Sequence, residues 1–200
     1  MTVLRYDRFM RQRGYIFFVA VACVIAASAT PRALTDITVP SLNGLMVSPL
    51  RSTGDVTVLI FVTTDCPIAN RYAPEIRRIH EEFGKKVTFW LVYTADSEQV
   101  SELAEHRDSF GFPMKAVRDL KNELVQVTGV TVTPEVAVYD MNQELRYRGR
   151  INDQYVEFGI ARATARTHDL REVLARLVAG EQVAYSETQA VGCYIPGVGD

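Results

Sequence analysis

Histidine and cysteine are scarce in this 200-residue chain, with three of each. His80, His106 and His168 stand apart, and no Cys/His group has the spacing that holds zinc. No metal centre is therefore expected. Glycine-rich phosphate loops are missing too, which removes the usual ground for a nucleotide or other phosphorylated cofactor. Lysine and arginine number 22 against 24 aspartates and glutamates, and no basic run occurs, so nothing recommends a nucleic-acid partner. No apolar run reaches the ~20 residues needed to span a bilayer.

Charge is nevertheless uneven. Arg5, Arg8, Arg11 and Arg13 against Asp7 give residues 1–29 a net +3, so the remaining residues carry −5 of the total −2. Tyr15–Ala27 is apolar and leads into Ala27-Ser28-Ala29. A basic start, an apolar middle and an A-x-A end are the order of an export signal. Cleavage is one outcome. Retention is the other, as an anchor through the apolar run or through a lipid on Cys23. Either places the remainder outside the cytoplasm, in the periplasm or an equivalent compartment, and the membrane is reached only through this segment if it stays. Once Cys23 leaves with the leader, Cys66 and Cys193 remain, an even pair compatible with a disulfide in an oxidising compartment.

What organises the chain is the stretch around Cys66. Val58–Val62 is a charge-free run of β-branched and aromatic residues, which reads as a buried strand. Thr63-Thr64-Asp65 end it, and Cys66-Pro67 open a helix whose Ile68, Tyr72, Ile76, Ile79 and Phe83 share one face. Pro67 suits a first turn, where its missing N–H costs nothing. Cys66 thus falls between a strand's end and a helix's N-terminus, a position that favours a reactive sulfur. The adjacent Asp65 works against the thiolate.

Upstream, Asp36–Val39 and Leu45–Val47 flank Asn43-Gly44, a hairpin signal. Pro74 predicts a bend in the Cys66 helix and Gly84 its end. Val87–Tyr93 reads as a second buried strand. Asp96 or Ser97 is the expected cap of a helix running to about Ser109, with Val100, Leu103 and Ala104 inward. Ala116-Val117 follow as a short strand, and Leu120–Val127 as a short helix ending near Gly129. Glu135–Tyr139 and Leu145–Arg150 form strands about a turn at Asn142-Gln143. The last helix is Asp169–Ala179, with Leu170, Val173, Leu174 and Leu177 inward. Residues 152–167 read as a long loop, the kind that is functional or loosely ordered. Arg148, Arg150, Arg162 and Arg166 either bring positive charge towards the thiol or form a solvated face. The tail, with Cys193 near Gly192 and Pro196, reads as irregular and mobile. Alternating strands and helices predict an α/β fold, with a mixed central sheet between helices.

The span from about 34 to 180 resembles the thioredoxin-like superfamily, in its redoxin branch of alkyl hydroperoxide reductase and thiol-specific antioxidant proteins. Cys66 falls where that family has its nucleophile, and Pro74 matches its helix-kinking proline. Thr133-Pro134, ahead of Glu135–Tyr139, matches the cis-proline that faces the active cysteine. Leu145–Arg150 matches the hairpin strand that follows. The resemblance implies a thioredoxin-like fold with an N-terminal hairpin and a C-terminal helix plus tail. It also implies that Thr133 and Pro134 line the site and that a protein disulfide, a peroxide or a small thiol is the reactant. Thr63 keeps the TxxC spacing of peroxiredoxins. Four departures narrow the likeness: Cys66-Pro67-Ile68-Ala69 is CxxA, Leu59 replaces the peroxiredoxin proline, Ile60 replaces a buried carboxylate, and Asn70 replaces the second cysteine of copper-delivering relatives.

The expected organisation is a leader over 1–29, a redoxin domain over 34–180 and a tail over 181–200. The leading function is an exported thiol oxidoreductase with Cys66 as nucleophile. Ala69 supplies no thiol, so resolution falls to Cys193, within the chain or across a disulfide-linked dimer, or to an external thiol. The alternatives are a peroxiredoxin-like peroxidase, in which Cys66 passes through a sulfenic acid, and a binding module that keeps the fold without the chemistry.

Overall fold

The computed structural model describes residues 36–51, 55–94 and 98–198, all within the compact unit Arg32–Asp200. The segment read as a leader lies outside the described residues, as do Asp96 and Ser97.

The chain enters through a hairpin, β1 (Val39–Pro40) against β2 (Met46–Val47), paired antiparallel as Asn43-Gly44 leads one to expect. Gly44 takes φ 82 at its turn, a conformation open to glycine without strain. Next comes β3 (Val56–Val62), buried along its whole length. Val58, Ile60 and Val62 belong to one core cluster while Leu59 and Phe61 belong to another, as the two-residue period of a strand requires. A strand buried on both faces is why this run carries no charge.

Helix α1 (Pro67–Phe83) lays Ile68, Tyr72, Ile76 and Ile79 on the first cluster. It continues through Pro74 and closes where the Gly84 N–H reaches the His80 carbonyl at 2.8 Å. β4 (Val87–Tyr93) pairs parallel with β3. Helix α2 (Val100–Ser109) starts later than expected. Its cap is Gln99, whose N–H donates to the Glu102 carboxylate at 2.9 Å, and its buried residues are Leu103 and His106 while Val100 is exposed. β5 (Lys115–Arg118) pairs parallel with β4. Helix α3 (Glu123–Thr128) also begins later than the apolar pattern suggests. Asn122 turns left-handed at φ 53, and the Asp119 carboxylate accepts the Val125 N–H at 2.9 Å, which fixes the start of the helix there.

The bond Thr133-Pro134 is cis, between β6 (Val132–Thr133) and β7 (Glu135–Tyr139). β7 runs antiparallel to β3, and β8 (Leu145–Gly149) antiparallel to β7. The stretch 152–167 is less loose than its length suggests. It contains a hairpin of β9 (Tyr155–Glu157) and β10 (Ile160–Ala161), turned at Gly159 with φ 83. Helix α4 (Asp169–Val178) then buries Leu170, Val173, Leu174 and Leu177.

The tail departs most from expectation. β11 (Ser186–Glu187) joins the main sheet parallel to β8, giving the order β11-β8-β7-β3-β4-β5. β12 (Cys193–Tyr194) pairs antiparallel with β6. Gly192 bends the chain just before β12 and Pro196-Gly197 turn it just after, and Ile195 is buried in the second core cluster beside residues such as Leu59 and Phe61. A side chain seated in the core anchors a segment whose composition reads as irregular.

Candidate active site

Strand β3 ends at Val62, and the Thr63-Thr64-Asp65 turn climbs from a buried Thr63 to an exposed Asp65 before Cys66 returns to the core. Cys66 caps α1 with an extended backbone (φ −76, ψ 107), and its Sγ accepts the Ala69 N–H at 3.5 Å. The sulfur therefore rests on the free N–H groups of a helix start. It is fully buried. The thiol in turn donates to the Thr133 carbonyl at 2.9 Å, immediately before the cis bond.

Over this sulfur lies the tail. Cys193 stands opposite Thr133 in the β12–β6 register, and the Thr133 hydroxyl donates to the Cys193 carbonyl at 3.5 Å. Burial first, then the neighbouring Cys66 and Asp65, push the Cys193 thiol up to about 12. Thr63 Oγ1 lies 3.4 Å from Thr133 Oγ1, which completes the cluster. The fold brings Cys66, Cys193, Thr63, Thr133 and Pro134 to one place, from three separate parts of the chain. No pair of neighbouring cysteines supplies this dithiol. It is assembled by the tail.

The edge of β6 is itself supported from below. The Glu135 carboxylate, buried and pushed up by that burial, accepts the Thr131 and Val132 N–H groups at 2.8 and 3.3 Å. Asn70, one turn after Cys66, does the same for the preceding loop. Its amide donates to the Thr64 carbonyl at 2.9 Å, and its Oδ1 lies 2.8 Å from His106 Nε2. His106 Nδ1 meets the Tyr93 hydroxyl at 2.9 Å. Burial holds His106 below its ordinary range, so it is neutral, with one ring nitrogen donating and the other accepting.

None of the histidines is recommended by sequence. The signal for His106 is Asn70, whose spacing from Cys66 puts it on the same side of α1. The arginines stay out of the thiol site. Arg148 pairs with Glu187 at 2.6 Å, Arg150 with Asp169 at 2.9 Å and Arg162 with Asp153 at 3.5 Å. Among the described residues, no group of three or more His, Cys, Asp or Glu is placed to hold a metal ion.

The AhpC/TSA family matches residues 32–148. No curated protein matches the chain. Among solved structures it is similar to an uncharacterized conserved protein from Geobacillus kaustophilus, with TM-score 0.71 and 19% identity over 82% of this chain and 89% of that one. A hypothetical protein from Sinorhizobium meliloti gives TM-score 0.70 and 16% identity over 82% and 92%. A secreted Mycobacterium tuberculosis disulfide oxidoreductase homologous to Escherichia coli DsbE gives 0.53 and 18% over 74% and 97%. These likenesses establish the thioredoxin-like fold.

Proposed function

The chain belongs to the AhpC/TSA family, and we propose that it is an exported thiol–disulfide oxidoreductase with Cys66 as attacking sulfur and Cys193 as resolving sulfur. The observation that carries this reading is the placement of Cys193 opposite Thr133 in the β12–β6 register, where the Thr133 carbonyl accepts the Cys66 thiol beside the cis Thr133-Pro134 bond. A pair so placed reacts in two exchanges. The Cys66 thiolate attacks a substrate disulfide, forming a mixed disulfide and expelling one substrate thiolate, which takes up a proton. Cys193 then loses its proton and attacks Cys66 Sγ, expelling the second substrate thiolate. The substrate leaves reduced, the chain keeps a Cys66–Cys193 disulfide, and an external dithiol returns it to the start.

Cys193 is suited to wait. Burial and the neighbouring Cys66 hold its thiol protonated in the resting chain. Because both sulfurs belong to one chain, a disulfide-linked dimer is not required. The basic, apolar and A-x-A order of residues 1–29 supports export, and an oxidising compartment is where such a pair cycles.

Peroxide reduction is the second reading, favoured by one observation: the Thr63 hydroxyl beside Thr133 at the buried sulfur. Turnover separates the two. With a protein disulfide and dithiothreitol, wild type accelerates reduction, Cys66→Ser is inactive, and Cys193→Ser accumulates a mixed disulfide on Cys66. Hydrogen peroxide consumed through Cys66 without disulfide turnover would instead make the protein a peroxidase.

A further inference from the structure

The tail covers Cys66 in a way that is selective in its side chains. Cys193 and Tyr194 face Thr133 and Val132, and the ladder continues where the Ile195 N–H donates to the Thr131 carbonyl at 3.0 Å. Along this strand the positions differ sharply in the room they have. At Gly192, a Cβ would overlap the Thr133 carbonyl oxygen and come within 2.6 Å of its carbon and 3.1 Å of Pro134 N. Only a residue without a side chain lies flat there. At Tyr194 the side chain is 84% exposed, so that position is unrestricted. At Ile195 the side chain is 1% exposed, packed in the cluster of Leu59, Phe61 and Val125. The order is therefore no side chain, cysteine, anything, large aliphatic.

We propose that the edge of β6 is a docking site for an extended segment of a partner protein with the pattern Gly-Cys-x-aliphatic, and that Gly192–Ile195 occupies it in the resting chain as a built-in copy of that segment. This rests on the reading of Cys66 as the reacting sulfur. Cys66 is fully buried, and Val191 and Cys193 of the tail pack against the cluster that contains it. A partner disulfide reaches it only by taking the tail's place, and it then inherits the same restrictions. It must clear the Thr133 carbonyl just before its cysteine and fill the Ile195 pocket two residues after. Beside Cys193, a cavity of about 530 Å³ continues the path, bordered by Val156 and by Phe158, which is 68% exposed. Residues that precede a partner's cysteine meet that border, where Val156 and Phe158 flank Glu157.

The test is protection of Cys66 from iodoacetamide in the full chain, read on the peptide that carries it. In Cys193→Ser the tail stays docked and alkylation is slow. Adding Gly192→Ala forces the tail off, and alkylation speeds up by roughly tenfold or more, the effect of overpacking a tight contact. Ile195→Asp frees the tail by a second route and gives the same acceleration. Excess peptide Ala-Val-Gly-Ser-Tyr-Ile-Pro-Gly-Val then restores the slow rate in both variants, which also shows that the fold is intact. The same peptide with Ala for its first Gly, or Asp for its Ile, does not. Equal rates with and without the tail-releasing substitutions would overturn the proposal, as would equal action of all three peptides or of none. Alkylation needs no disulfide turnover. A working dithiol cycle with indiscriminate peptides removes the docking site alone, and selective protection without turnover removes the redox reading alone.

Discussion

The Cys66 thiol donates to the backbone carbonyl of Thr133 at 2.9 Å. Gly192 lies so close to that same carbonyl that a Cβ there would overlap it, and Cys193 faces the same residue in the β12–β6 register. One peptide group next to the cis bond thus sets the sulfur, the strand and the tail relative to one another. The tail is a structural part of the site for that reason.

The first prediction concerns Cys193 and pH. Its folded-state thiol is raised from 9.0 to about 12, chiefly by burial. A raised value means the folded state holds the proton more tightly, so the stabilisation is complete below 9.0 and is lost as pH rises through about 12. The urea midpoint of the reduced wild type should fall across that window more steeply than that of Cys193→Ser. Parallel curves would show that the Cys193 thiol is not held in this environment.

A second prediction follows the chain Thr64–Asn70–His106–Tyr93. Asn70→Ala removes the donor to the Thr64 carbonyl and leaves His106 Nε2 without its partner. An orphaned buried group of this kind costs about 1–3 kcal/mol, measurable by urea unfolding. Because burial lowers His106, its contribution is present above its ordinary value of 6.5 and is lost as pH falls through the lower folded value. His106→Asn should flatten that acid limb.

Glu135 gives the third. Its carboxylate holds the Thr131 and Val132 N–H groups, and so holds β6 in line for the tail. Glu135→Ala leaves two N–H donors unpaired, at a cost of about 1–3 kcal/mol each where they stay buried. Hydrogen exchange at Tyr194 and Ile195 should accelerate along with it. Glu135→Gln keeps one acceptor oxygen and should be milder on both readouts.

How much of this was legible beforehand differs by element. Val56–Val62 and α1 were, because a charge-free β-branched run and a 3.6-residue apolar stripe each point to one structure. The cis Thr133-Pro134 bond was reached through resemblance and is present. The start of α2 is set by the Gln99–Glu102 cap rather than by Asp96 or Ser97, and that of α3 by the turn that Asp119 and Asn122 make after Leu120. The β9–β10 hairpin is short and exposed, so it carries no periodic signal. β11 and β12 are two-residue strands defined by partners far away in sequence. No local pattern announces such pairing. Counting cysteines points to Cys193 as the partner thiol, while the strand that carries it to Cys66 reads as irregular. His106 gives no signal of its own because its partner, Asn70, lies on another helix.

The account turns on the two sulfurs forming one bond. The most direct measurement is mild oxidation of the reduced protein by oxidised dithiothreitol, followed by non-reducing peptide mapping. The account predicts a single cross-linked species joining the Cys66 and Cys193 peptides, monomeric in size and absent from Cys193→Ala. Oxidised Cys66 beside a free Cys193, or a cross-link found only between two chains, would contradict it.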